Sequence, residues 1–269
     1  MSDFLKQMAE SSRDRASAAN ISFTDDDLDR PVHPLRLNKF DLIAEIKNRS
    51  PAEGELGTAE TSRVDRARQY VAGGAAAISV LTEPERFDGD LSHLEEVVNT
   101  VAEDEVPVMR KDFLVHTSQI LEAKAAGASG GLLIAGMLDL EQLTSMLDCA
   151  FEHDLFVLLE SFDEPDLELT THLLQRIDYR ERAAQNQLLI GVNTRNLRTL
   201  HVDPNRLRKF EPLLPAGATA VAESGLHTPN DAGEVVGWGY RMALVGTALM
   251  RADNPAELIR GMLAAGRCA

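Results

Sequence analysis

The chain of 269 residues is poor in cysteine and tryptophan, has few lysines, and contains no long apolar run. Its two cysteines, Cys149 and Cys268, supply neither a disulfide framework nor a metal-ligand spacing. Without an apolar run of about 18 residues, no membrane span is expected. The opening stretch M-S-D-F-L-K-Q-M-A-E-S-S-R-D-R is charged throughout. It lacks the apolar region of a secretory signal, so the cytoplasm is the expected compartment. No basic stripe exists, and the net charge is −16. Such a body repels nucleic acid and anionic membrane at long range, so neither is an expected partner. The acidity reads as a device for solubility; a salt-rich cytosol would favour the same composition. The run Asp25-Asp26-Asp27 is followed by no glycine turn and no later acidic ligand. It therefore reads as a solvated loop rather than a calcium site. No metal site is expected.

What the chain does have is rhythm. Hydrophobic residues make up 44% of it, enough for a large core. Residues 2–19 read as an amphipathic helix with Phe4, Leu5 and Met8 on one face. Residues 20–37 are polar, contain Pro31 and Pro34, and read as a linker or lid. From residue 40 onward, short apolar runs alternate with helical patterns. The runs cover 40–47, 75–81, 106–111, 130–135, 155–160, 187–193, 218–223 and 241–246. Helical patterns lie between them, as at 61–72, 118–126 and 140–151, and glycines such as Gly74, Gly127 and Gly239 stop several of them. Continuous apolar strands alternating with helices imply a parallel sheet covered on both faces. Eight such units imply closure into a (β/α)8 TIM barrel, with an open doubly wound sheet as the alternative. The expected organisation is a helix and loop over 1–38 that covers the barrel, and a catalytic barrel over 39–269.

Functional residues in such a barrel lie at the carboxyl ends of the strands. Six of the eight runs end in residues that a core would not choose. They are Glu45 and Lys47, followed by Arg49 and Ser50; Arg110-Lys111-Asp112; Glu160; Asn193 with Arg195; Glu223-Ser224-Gly225; and Gly246-Thr247. One ion pair there would merely close the barrel top. Two lysines, two arginines and three glutamates on one rim point to an active site, because half-buried charges are costly unless paired or used. Ser224-Gly225 and Gly246-Thr247 carry small side chains in the two loops that commonly bind phosphate in this fold. The expected ligand is a phosphorylated small molecule.

These segments resemble the indole-3-glycerol-phosphate synthase family of tryptophan biosynthesis. The resemblance rests on I-A-E-I-K-N-R-S-P-A-E-G (43–54), I-S-V-L-T-E-P-E-R-F-D-G-D-L (78–91), P-V-M-R-K-D-F-L-V (107–115), G-V-N-T-R-N-L-R-T-L (191–200), A-E-S-G-L (222–226) and L-V-G-T-A-L-M-R (244–251). It runs from about residue 40 to the end, while residues 1–38 match poorly. It implies a carboxy-lyase that acts on 1-(2-carboxyphenylamino)-1-deoxyribulose 5-phosphate, closes a pyrrole ring, and loses carbon dioxide and water. No metal or organic cofactor is implied. Lys111 matches the family's general acid, Lys47 a second lysine near the substrate, and Glu160 the general base. Glu45 and Glu223 would orient the lysines and bind hydroxyls. Asn193 and Arg195 would hold the hydroxyl and carboxylate groups. Ser50, Ser224, Gly225, Gly246 and Thr247 would hold phosphate. Phe87, Phe113 and Leu132 would form an apolar slot for the anthranilate ring, although Leu132 suits ordinary core equally well.

There are departures from the family pattern. Ser161-Phe162-Asp163 stands where Val-His-Asp is usual, so the surroundings of Glu160 are expected to differ. Thr194 replaces a more usual Asn, and 176–187 looks long, which suggests an outer-wall helix. A fused isomerase barrel is not expected, and the chain is expected to act as a monomer or weak homo-oligomer. Other sugar-phosphate barrel isomerases use Asp or Cys acid/base pairs, which Lys47, Lys111 and Glu160 argue against. A decayed, non-catalytic barrel should have lost its acid and base first.

Overall fold

The structure is a computed structural model and describes residues 3–19, 22–50, 54–55, 62–199 and 201–269. All eight apolar runs form strands: β1 (Asp41–Ile46), β2 (Ala77–Leu81), β3 (Val108–Lys111), β4 (Gly130–Ile134), β5 (Phe156–Ser161), β6 (Leu188–Asn193), β7 (Thr219–Glu223) and β8 (Met242–Val245). Each pairs in parallel with its sequence neighbours. β1 also pairs with β8, which closes the barrel. The strands read as continuous apolar runs because helices cover their outer faces while side chains fill the interior. The register then sets the site. Glu160 lies opposite Gly191, and Asn193 opposite Glu223, so these side chains share the inner face at one end of the barrel.

The helices follow from local signals. Helix Leu140–Glu152 starts at Asp139, whose carboxylate accepts from the Gln142 amide, and it buries Leu143, Met146, Leu147, Ala150 and Phe151 on one stripe. Helix Arg63–Gly73 stops at Gly74, which takes the left-handed conformation and donates its N–H to the Tyr70 and Val71 carbonyls. The long stretch near 180 is helix Ile177–Ala184 on the outer wall. It is fixed there by Tyr179, which stacks edge-on to Phe151 at 6.0 Å and donates to Asp148 at 2.8 Å.

The amino-terminal helix α1 (Asp3–Ala18) buries Leu5, Met8 and Ala9. Beyond it, Asp25-Asp26-Asp27 form the first turn of a short helix, Asp25–Leu28, rather than a loop. Thr24 and Asp27 cap it reciprocally, which explains an acid run that the sequence left without a partner. The chain then runs towards the opposite end of the barrel. His33 donates its backbone N–H to Ser129 just before β4, and Arg30 donates to the Ala125 carbonyl.

Polar contacts tie α1 to the segment after β3. Arg15 reaches Asp112 with two hydrogen bonds of 2.9 and 2.8 Å. Gln119 donates to the Ser12 hydroxyl at 2.9 Å. Asp112 is 2% exposed and also accepts from Thr82 Oγ1, the Phe113 amide and Arg110. Burial works against its charge. The hydrogen bonds and charges of Arg15 and Arg110 outweigh burial and hold its pKa below the ordinary carboxylate value. The stability this carboxylate adds is present above the unfolded value and is lost as pH falls through the depressed folded one. Asp112→Ala takes from Arg15 its carboxylate partner and from Arg110, itself 4% exposed, one of two, and is expected to cost about 3–5 kcal/mol. Denaturant titration of the variant measures this, and a cost below about 1 kcal/mol would contradict it.

Candidate active site

The carboxyl ends of the strands enclose a cavity of about 300 Å³. Its charged wall is built from strand ends. Lys47 Nζ, just past β1, lies 2.6 Å from Glu45 Oε1. Lys111 Nζ, the last residue of β3, lies 3.3 Å from Glu160 Oε2 and 3.6 Å from Glu223 Oε2. Glu160 Oε1 accepts from Asn193 Nδ2 at 2.8 Å, and Asn193 Oδ1 accepts from the Arg195 backbone N–H at 2.9 Å. One chain of contacts thus links β6, β5, β3 and β7 across the mouth. Glu45, Glu160 and Glu223 are at most 3% exposed, whereas the Lys111 side chain keeps 15% of its surface open to the cavity.

Burial opposes charge on Lys111, but Glu160, Glu223 and Glu45 outweigh it and raise its pKa, so the group is an ammonium across the physiological range. Glu223 moves the other way. Burial and the neighbouring Glu160 push its pKa well above the usual carboxylate value, and Lys111 only partly offsets them.

Two glycines make room for these groups. A Cβ on Gly191 would run into Glu223 Oε1. A Cβ on Gly246 would run into Glu45 Oε1 and lie 2.8 Å from Lys47 Nζ. Gly246→Ala is therefore expected to displace the Glu45–Lys47 pair and lower kcat/KM by roughly 10²-fold with the fold retained. Kinetics beside circular dichroism would check this, and unchanged kcat/KM would refute it.

The apolar wall contains Phe87, Phe113 and Leu132. It also contains Phe4, which the sequence marked only as part of an amphipathic face. The Phe4 ring meets Phe113 edge-on at 5.9 Å, and Phe87 tilts against Phe113 at 6.3 Å. At the other end, Ser224, Gly225, Gly246 and Thr247 line the cavity together. Ser224 and Gly225 both have positive φ, 67° and 82°, which turns the backbone sharply after β7. Thr194 lies behind them, buried and close to Gly225. Ser50 sits in a short hairpin in which Arg49–Ser50 pairs with Gly54–Glu55; its side chain lies outside the described residues.

Two expectations change. Arg110 is not on the cavity wall: alternation along β3 turns it outward, where it pairs with Asp112 and with Glu122 at 3.0 Å. The unusual Ser161-Phe162-Asp163 also leaves the Glu160 carboxylate alone, since its partners are Lys111 and Asn193. Instead, Arg198 from beyond β6 pairs with Asp163 and Asp166, lies over the Phe162 ring at 5.9 Å, and fastens the loops after β5 and β6 together.

The model of indole-3-glycerol phosphate synthase matches residues 5–262. The chain belongs to this family. The match begins inside α1, so it takes in most of the amino-terminal segment that resembles the family poorly in its motifs. The indole-3-glycerol phosphate synthase of a Nocardioides species is 41% identical over 88% of this chain and 86% of its own length. That of Methanopyrus kandleri is 41% identical over 84% of each. Among solved structures, 3-hexulose-6-phosphate synthase from Salmonella typhimurium shares the barrel, with a TM-score of 0.62 at 15% identity, over 84% of this chain and 98% of that one.

Proposed function

We propose that the chain converts 1-(2-carboxyphenylamino)-1-deoxyribulose 5-phosphate to indole-3-glycerol phosphate, as a lyase of tryptophan biosynthesis. The observation that carries this reading is the Lys111 ammonium, held between two glutamate carboxyl groups yet open to the cavity. Ring closure joins an aromatic carbon to a ketone carbon, and negative charge develops on the ketone oxygen. A fixed ammonium with a raised pKa stabilises that oxygen and gives it a proton. Lys47 sits near the substrate carboxylate and the same oxygen. Departure of carbon dioxide restores aromaticity, and Glu160 takes the nitrogen proton in the dehydration that follows.

Glu45 and Glu223 orient the lysines and meet the sugar hydroxyls, while Asn193 and Arg195 hold hydroxyl and carboxylate groups. Ser224, Gly225, Gly246 and Thr247 carry the phosphate, with Ser50 as a further contact. Phe87, Phe113 and Leu132, joined by Phe4, enclose the anthranilate ring, so residues 1–38 act as the cover of the site. The reading needs no metal or organic cofactor, because these side chains supply both acid and base. Each barrel holds all these groups, in keeping with a monomer or weak homo-oligomer, and the cytoplasm is the compartment this reaction suits. Among the described residues, no helix is long and apolar enough to cross a membrane.

An isomerase reading is tested by offering the protein this ketose and, separately, the isomeric phosphoribosyl amine of anthranilate. Carbon dioxide is expected from the ketose alone. Conversion of the amine to the ketose, with no carbon dioxide from either, would replace the synthase reading with the isomerase one.

A further inference from the structure

Among the described residues, Glu45, Glu160 and Glu223 share the charged wall of the cavity with two ammonium groups, and Asp112 lines it while bound to Arg15 and Arg110. Glu45 has Lys47 at 2.6 Å, and Glu160 has Lys111 and the Asn193 amide. Glu223 is 1% exposed, and neither of its oxygens accepts a hydrogen bond. Its nearest cation is Lys111 at 3.6 Å, already closer to Glu160. The neighbouring strands offer it little. β6 presents Gly191 and Asn193, whose amide is taken by Glu160, and β8 presents Leu244 and then Gly246. Beyond β6, half-buried Arg195 lines the rim and is, among the described lysines and arginines, the remaining one of this wall. A buried carboxylate without a donor is costlier than the neutral acid, and two carboxylates facing one ammonium favour retention of a proton. The raised Glu223 pKa, caused first by burial and then by Glu160, agrees with this count.

We propose that Glu223 rests as the neutral acid and donates its proton to the hydroxyl that departs during dehydration. This rests on the reaction assigned above. The carbon–oxygen bond breaks with its electron pair going to oxygen, which takes the Glu223 proton and leaves as water. The electrons of the N–H bond move into the ring system as Glu160 takes the nitrogen proton. In the tautomerisation that completes the indole, Glu160 returns a proton to nitrogen, and the Glu223 carboxylate takes one from the adjacent ring methylene. Both groups are then back in their resting states, and Lys111, which gave its proton in ring closure, regains one from solvent.

Infrared difference spectra between the wild type and Glu223→Gln, in D2O at neutral pH without substrate, test the resting state. The carbonyl stretch of one protonated carboxyl is expected to vanish in the variant; carboxylate bands alone would overturn the proposal. Single-turnover kinetics test the step. Glu223→Gln is expected to lose far less of ring closure and carbon dioxide release than of dehydration, which slows by roughly 10²-fold so that the hydroxylated bicycle accumulates. Glu223→Asp, still an acid, is expected to recover part of the dehydration rate. Dehydration at the wild-type rate in Glu223→Gln, or Asp no better than Gln, would overturn the donor role. Absence of carbon dioxide from the wild type would instead overturn the reaction itself, and the donor role with it.

Discussion

Lys111→Ala is expected to lower turnover by roughly 10²–10⁴-fold, with ring closure as the step lost. The reason lies in what surrounds the ammonium. Glu160 at 3.3 Å does most to keep it charged against the cost of burial, and the Glu223 carboxyl lies at 3.6 Å. No other cation lies between those two carboxylates among the contacts described, since Lys47 is engaged by Glu45. Removing the ammonium takes away the proton source and the positive charge facing the developing alkoxide in one change. The barrel itself should survive, because Lys111 ends its strand at the cavity and is not packed in the core, and the stranded carboxylates can take up a proton. Rapid-quench analysis beside thermal unfolding separates the two effects. Turnover near that of the wild type would remove Lys111 from the acid role.

Glu160→Gln is expected to cost a similar roughly 10²–10⁴-fold, but in dehydration rather than ring closure. Glu160 Oε1 accepts from Asn193 and Oε2 faces Lys111, so both oxygens of the native side chain meet donors. An amide keeps the shape but sets its NH2 against one of those donors, and it cannot take up the nitrogen proton. The ring-closed, decarboxylated bicycle should therefore build up in single turnovers. A dehydration rate unchanged from the wild type would exclude Glu160 as the base.

Much of this was legible in the sequence because the fold writes itself as contrast. Strands covered on both faces must be apolar, so Lys47, Lys111, Glu160 and Glu223 stood out as charges at the ends of apolar runs. The cavity brings those four together with Asn193, Arg195 and the glycine-bearing loops after β7 and β8. What stayed hidden depends on contacts between distant segments. Phe4 reads only as one face of a helix until α1 docks on Phe113. Arg110 and Lys111 are adjacent in sequence, and only strand alternation sends one out to Asp112 and the other into the cavity. Gly191 looks like a neutral strand residue until Glu223 fills the space its missing side chain leaves. Ser161-Phe162-Asp163 reads as a change in the surroundings of Glu160, but Asp163 and Phe162 meet Arg198, which no local pattern announces.

The most direct test is to mix the purified protein with 1-(2-carboxyphenylamino)-1-deoxyribulose 5-phosphate, without added metal or cofactor, and follow indole absorbance and fluorescence. The account predicts catalytic turnover that is lost in Lys111→Ala. A folded protein that binds this substrate but forms no indole product would contradict it.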